Sequence, residues 1–477
     1  MKNASRIAGN FGLKLFSDLY SKIGMLVLVL CVARVFGAEA FGKYAVSFAL
    51  VNIFYIFTDF GLHTLLVRDI GKERSIANEY WEKFLSIKLI SALAAVILIF
   101  ITAQLISFPA DTKRIIVAAS IWMVANSLID GSNALFTAYE KLHFVLWNTL
   151  IYRTLLYIIG FTAIYFNAAL FNIIMIIAGS SVLGSITGLY FINKYFFKFN
   201  VKFSWSFFLK RIKNSWPLAL SGVFMTIYMR IDTILLSKMK GDIETGIYNS
   251  AFKLFETLVF IPTVFQNVAL PYFARYVFQD DDRVIAASAQ ASAFMLILSL
   301  PMSIALIIKA DWVMNLLYGS KYDGGETALS ILACAIPFLF ALTIPASVLI
   351  AANKQKIIGY SSLAATLINI TGNILLIPVS GYVGSSIMLL ATHVVLFLVL
   401  AIAAKRWVIN RLVLWKFVRV VLAGVLMSCL LVFIDFKYDL LGILAGFLIF
   451  YGCLIPLRVI HLKEIREFII SFKERNV

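Results

Sequence analysis

Nine ionisable side chains stand inside otherwise apolar sequence: Asp18, Lys22, Asp59, Asp130, Arg153, Arg230, Asp232, Lys253 and Glu256. A charge deep in hydrocarbon costs at least about 2.5–3.5 kcal/mol, so such residues face the protein interior or a wet cavity. Arginine can grip phosphate oxygens with two parallel hydrogen bonds, and lysine acts as a point charge. Lys22, Arg153, Arg230 and Lys253 are therefore candidate ligands for the headgroup of an anionic substrate. The carboxyls of Asp18, Asp59, Asp130, Asp232 and Glu256 are candidates for carrying a proton or coupling ion. The alternative for every one of them is an ion pair that holds helices together.

Spacing constrains these roles. Lys14, Asp18 and Lys22 recur every fourth residue and share one helical stripe. Lys253 and Glu256, three apart, can pair on one face. Arg230 and Asp232 are two apart, roughly 200° around a helix, so one is expected at a cavity and the other against a neighbouring helix.

Other chemistries find little support. Cys31, Cys334, Cys429 and Cys453 are scattered through apolar runs and His63, His143, His393 and His461 form no cluster, so neither a metal nor another cofactor is expected. The stretch GAEAFGKY, Gly37 to Tyr44, resembles a phosphate-binding loop. It has tyrosine where the hydroxyl ligand belongs and no preceding strand. The run Asp280-Asp281-Asp282 reads as a helix start. A transporter is expected, not an enzyme.

The elements that must position these charges are membrane helices. The chain of 477 residues is 61% hydrophobic and only 14% charged, with mean hydropathy +0.92. Fourteen apolar runs of about 20 residues or more can be traced, and continuous runs select helices over a barrel. No cleavable signal peptide is expected at the N-terminus. Lysine and arginine gather in alternate connections, so both termini are expected on the cytoplasmic side of a cytoplasmic (inner) membrane. The net charge of +17 then reflects topology and gives no reason to expect nucleic acid as a partner.

The fold class expected is all-α, with two pseudo-symmetric six-helix lobes and a C-terminal helix pair. Residues 33–48, ARVFGAEAFGKYAVSF, align without gaps to 237–252, SKMKGDIETGIYNSAF, matching Gly37 with Gly241, Gly42 with Gly246, Tyr44 with Tyr248 and Phe48 with Phe252. Both segments join the first two helices of a block, so the repeat is parallel. The lobes are expected at 1–193 and 216–405, with the last helix pair and a basic tail at 406–477. Between the lobes, 194–215, Lys194, Lys198 and Lys202 recur every four residues among phenylalanines. That suits a basic amphipathic helix on the cytoplasmic lipid surface, or an ordinary positive-inside loop.

Four patches in order, at 35–70, 230–275, 316–338 and 351–386, resemble the O-antigen and polysaccharide repeat-unit flippases of the multidrug/oligosaccharidyl-lipid/polysaccharide exporter superfamily. The resemblance implies alternating access of a central cationic cavity. It implies a polyprenyl-diphosphate-linked oligosaccharide as cargo, moved between leaflets of the bilayer for surface polysaccharide or lipopolysaccharide synthesis. A polysaccharide polymerase and chain-length machinery are the implied partners. Rival readings are a peptidoglycan lipid II-type flippase, an ion-coupled drug or cation antiporter of the same superfamily, and a polytopic glycosyltransferase.

Overall fold

Backbone N–H and C=O groups in hydrocarbon must be satisfied within their own segment, which leaves helices for continuous apolar runs. The computed structural model describes all residues except Met1, Phe60, Asn410, 435–437, Arg458 and 460–477, and all side chains except also those of 2–8, 10–11, 208–221 and 411–413. The basic tail expected at Lys463, Arg466, Lys473 and Arg475 lies outside the described residues, as do the side chains of Lys210, Arg211 and Lys213. Every long element among the described residues is an α-helix.

By internal contacts the chain divides into Met1–Asn249 and Ser250–Val477. The first unit holds α1 (Lys2–Tyr55), α2 (Leu62–Lys72), α3 (Ala77–Leu105), α4 (Ala110–Ala138), α5 (Leu142–Tyr165), α6 (Leu170–Tyr195), α7 (Trp205–Lys240) and the first half of α8 (Asp242–Leu258). The second holds α9 (Phe260–Tyr276), α10 (Asp281–Ile308), α11 (Ala310–Tyr318), α12 (Gly325–Ala341), α13 (Thr343–Ala351), α14 (Gln355–Ala403), α15 (Lys405–Val408), α16 (Arg411–Phe433) and α17 (Asp439–Leu454).

Ten stretches among the described residues are long and apolar enough to cross a bilayer. Two of them, Gly12–Lys72 and Gln355–Ala403, are folded in two, at Gly37 and Gly381. With α7 and the shorter apolar α17, this arrangement accommodates the fourteen runs read from the sequence.

The duplication is written in the backbone. Gly37 and Gly241 both turn with φ near +80°, at 80° and 88°, and extended ψ, a conformation that penalises any side chain. The next positive-φ turns match in chain order: Ser107 with Gly319, Glu140 with Asn353, and Asn167 with Gly381. Gly61 and Gly324 stand outside this series.

In the first unit an aromatic core gathers Trp81 and Phe84 of α3 with Phe136 of α4, and Phe196, Phe197, Phe199 and Phe207 pack against it. This packing corrects the expected amphipathic helix. Residues 197–204 form no helix, and α7 starts at Trp205 with the Ser204 hydroxyl accepting the Phe207 N–H. The phenylalanines between the lysines point into the core of the unit, so a helix with a lipid-facing apolar stripe would expose them. Glu82 fastens the strap: it accepts the Asn200 N–H at 2.9 Å and pairs with Lys202 at 2.9 Å. The Ser86 hydroxyl donates to the Lys202 carbonyl at 2.9 Å.

In the second unit α16 and α17 pack on α10 through Leu296, Val420, Met427 and Phe450, and Lys309 binds Asp439 at 2.6 Å. Asp280 caps α10 by accepting the Arg283 N–H, as its place before the helix suggests.

A polar cavity within the first unit as the candidate site

Several charged side chains of the oily first unit meet at one place. Where α1 ends and the chain turns through 56–58, Asn52, Tyr55, Asp59 and His63 face Asp130 of α4 and Arg230 of α7 across a cavity of about 620 Å3. Thr226 and Met229 complete the α7 side. Thr226, Met229 and Arg230 sit three and four residues apart, one helical face, as a wall requires.

Both carboxylates of the cavity already have partners. Asp59 binds Lys88 of α3 at 2.9 Å and accepts the His63 N–H at 3.3 Å. Lys88 is 1% exposed, so its ammonium is held in a dry wall against the Phe84 ring. The Tyr55 hydroxyl donates to Asp130, and the Asn126 amide donates to Tyr55 at 3.0 Å. Arg230 and Lys88 against Asp59 and Asp130 leave no formal excess of either sign.

The nine residues nominated from sequence disperse. Arg230, Asp59 and Asp130 share the cavity. Asp232, two residues from Arg230, is fully buried, accepting from the Tyr248 hydroxyl and from the Thr233 N–H at 2.8 Å. The neighbouring Thr233 hydroxyl reaches Asn249 at 3.2 Å. Asp232 thus fastens α7 to α8 and lines no cavity wall. Arg153 of α5 packs against α1, with its guanidinium 5.0 Å from the Tyr152 ring centre and 3.9 Å from the Met25 sulfur. No carboxylate pairs with it among the described residues, and its Nε is buried without a hydrogen-bond partner. Lys22 is exposed on the same stretch of α1, where Tyr20 meets Thr154 at 2.7 Å. Asp18 pairs with Lys14 at 3.3 Å on an exposed face. Lys253 and Glu256, in the second unit, pair at 3.0 Å as their spacing allows.

Sequence reasoning passed over Lys88, Tyr55 and His63. Lys88 was legible by the same insertion cost as the others, since it lies inside an apolar run. The hydroxyl of Tyr55 carries no such signal, because tyrosine is common in apolar helices and its partner Asp130 is distant in sequence.

Known proteins place this arrangement. Residues 7–277, more than half of the chain, match the family described as polysaccharide biosynthesis protein, and residues 217–375 match MatE. An uncharacterized membrane protein of Methanocaldococcus jannaschii is 23% identical over 412 residues, covering 82% of this chain and 96% of its own. Among solved structures, the lipid II flippase MurJ in an inward closed conformation superposes with TM-score 0.72 at 17% identity, covering 92% of this chain and 97% of its own. An inward-facing multidrug resistance MATE family transporter of the MOP superfamily gives 0.56 at 17% identity, with 81% and 94% covered. A eukaryotic MATE transporter gives 0.54 at 13% identity, with 86% and 98% covered.

Proposed function

Because this chain belongs to the polysaccharide biosynthesis protein family, within the MOP superfamily of membrane flippases and transporters, we propose that it flips a polyprenyl-diphosphate-linked oligosaccharide. The cargo moves from the cytoplasmic to the outer leaflet of the inner membrane by alternating access, for surface polysaccharide synthesis. No chemical bond is made or broken, so the chain acts as a transporter and not an enzyme.

The observation that carries this reading is Arg153, a half-buried guanidinium in a membrane helix with no carboxylate partner among the described residues. Such a group costs stability unless an anion visits it. Arg230 supplies a second grip, at the wall of a cavity roomy enough for a sugar ring. The polyprenyl tail stays in lipid while the diphosphate and hydroxyls cross through the polar interior.

The balanced charge of the cavity suggests how uptake is coupled. A diphosphate arriving at Arg230 meets the carboxylates of Asp59 and Asp130, with Lys88, His63 and Tyr55 around them. Asp59 is committed to Lys88, so Asp130 is the acid whose protonation removes repulsion. Proton uptake at Asp130 then accompanies headgroup binding.

Those same two acids favour a second reading, a cation antiporter, in which a positively charged drug takes the place of the diphosphate. Deletion of the gene separates the two. The flippase reading requires lipid-linked oligosaccharide to accumulate on the cytoplasmic leaflet. Unchanged glycan lipids together with increased drug sensitivity would select the antiporter.

A further inference from the structure

On an exposed apolar face of the first unit, α3, α4 and α6 leave a furrow of about 480 Å3. Ile99 and Ala103 form its floor, and Phe100 and Val117, 56% and 52% exposed, form its rim. Its lining is hydrocarbon almost throughout. Ser120 and Ser185 spend their hydroxyls on helix carbonyls, and the one charge lies at one end, where Lys113 of α4 reaches across to Gln104 of α3 and donates to its amide oxygen at 2.6 Å. That bond uses one of three ammonium donors. No carboxylate among the described residues neutralises Lys113. An apolar slot with one uncompensated cation at its mouth has the complementarity of an anionic lipid.

Length selects among such lipids. From Lys113 to Leu128, the furrow follows α4 for about 22 Å at 1.5 Å per residue, whereas one leaflet contributes only about 15 Å of hydrocarbon. The slot therefore runs past the midplane. A phospholipid chain is confined to its own leaflet, and a long isoprenoid is not. The Lys113 end is the end carrying the Gly37 turn, since Lys238 beside Gly241 donates to the Ile106 carbonyl there at 2.8 Å. The charge rule assigns that end to the outer face.

We propose that this furrow holds the isoprenoid chain of a polyprenyl diphosphate lipid, with Lys113 gripping a phosphate at its outer mouth. The inference rests on the function proposed above and gives the tail of the same cargo its own track, separate from the polar cavity. The furrow guides the tail while the headgroup passes through the protein, and Lys113 receives the phosphate on arrival.

The test uses the full chain in nanodiscs of phosphatidylglycerol, with a photo-reactive side chain at Val117 and a sugar-free long-chain polyprenyl diphosphate as probe. Irradiation should capture the polyprenyl lipid in preference to phosphatidylglycerol. Ala103→Trp fills the floor and should abolish capture, while Ile97→Trp, on an exposed neighbouring face, should leave it unchanged. Lys113→Gln should weaken capture about tenfold, the loss of one charge-assisted hydrogen bond. Lys113→Arg should preserve it, which keeps the test informative if the tryptophan variant misfolds. Capture of phosphatidylglycerol instead, or capture indifferent to both Ala103→Trp and Lys113→Gln, overturns the proposal. Arg230→Ala should leave capture intact, so absent capture with normal, Arg230-dependent transport condemns the furrow alone.

Discussion

The backbone carbonyl of Asp242 lies directly against the α-carbon of Gly42, and the carbonyl of Ala38 lies in the same way against Gly246. The two contacts are reciprocal: Ala38 and Asp242 follow the matched glycine turns, and Gly42 and Gly246 occupy matched positions one helical turn later. A methyl group at either glycine would overlap a main-chain oxygen, which has no side-chain freedom to yield. The related hairpins thus touch backbone to backbone at one end of the first unit. On the alternating-access proposal, that contact serves as a closed gate.

Gly42→Ala and Gly246→Ala should hold this gate ajar. Overpacking of this kind costs about 1–3 kcal/mol, enough to depopulate the closed arrangement roughly fivefold to a hundredfold. Transport should fall with membrane protein levels preserved, and a cysteine-reactive reagent applied from outside should label Ala40→Cys faster in either variant. Wild-type transport in both would show that the contact does not govern the cycle.

Asp59 and Lys88 test the difference between a structural pair and a coupling site. Removing one partner from a buried pair costs about 3–5 kcal/mol, and Asp59 being 30% exposed places the expected loss near the lower figure. Lys88→Met alone should lower the unfolding temperature in detergent, and adding Asp59→Asn should restore much of it. Transport that recovers with stability in the double variant marks the pair as scaffolding, leaving Asp130 as the coupling acid.

Tyr248→Phe should be damaging out of proportion to the loss of one oxygen. It strands the fully buried Asp232 carboxyl without its strongest donor, a penalty of about 1–3 kcal/mol. Asp232→Asn keeps hydrogen bonding to Tyr248 and Thr233 and should be milder. Thermal unfolding followed by tryptophan fluorescence distinguishes them, and equal stability of all three proteins would contradict the account of Asp232 as a fastener.

The strap at 197–204 depends on Glu82. Glu82→Ala removes both the Asn200 and Lys202 attachments and should open the strap to limited proteolysis, whereas Lys202→Ala removes one exposed contact and should do little. The Glu82 carboxylate raises the Lys202 pKa above the ordinary lysine value. A raised folded-state pKa gives stability that is present below the unfolded value and lost as pH rises through the folded one. The strap should accordingly stay closed through the neutral range, and its Lys202 attachment should loosen under strong alkali.

Much of the fold was legible in the sequence, because the forces concerned act locally. Twenty apolar residues in a row have one structural solution in a bilayer, and Gly37 and Gly241 are required by turns that exclude side chains. Pairing across helices was not legible. Nothing in the spacing of Asp59 and Lys88, or of Tyr55 and Asp130, announces contact, because three-dimensional packing of α1, α3 and α4 brings them together. The strap stayed open between an amphipathic helix and a loop because lysines every fourth residue mimic a helix, while the phenylalanines between them were answering an aromatic core elsewhere in the chain.

The central claim is that the guanidinium groups of Arg153 and Arg230 receive an anionic lipid head. It is tested most directly with purified protein in liposomes, scoring the leaflet on which a fluorescent polyprenyl-diphosphate oligosaccharide resides. Arg153→Ala and Arg230→Ala should each abolish movement between leaflets while remaining folded, and the corresponding lysine variants should retain part of it. Wild-type flipping by both alanine variants would contradict the account.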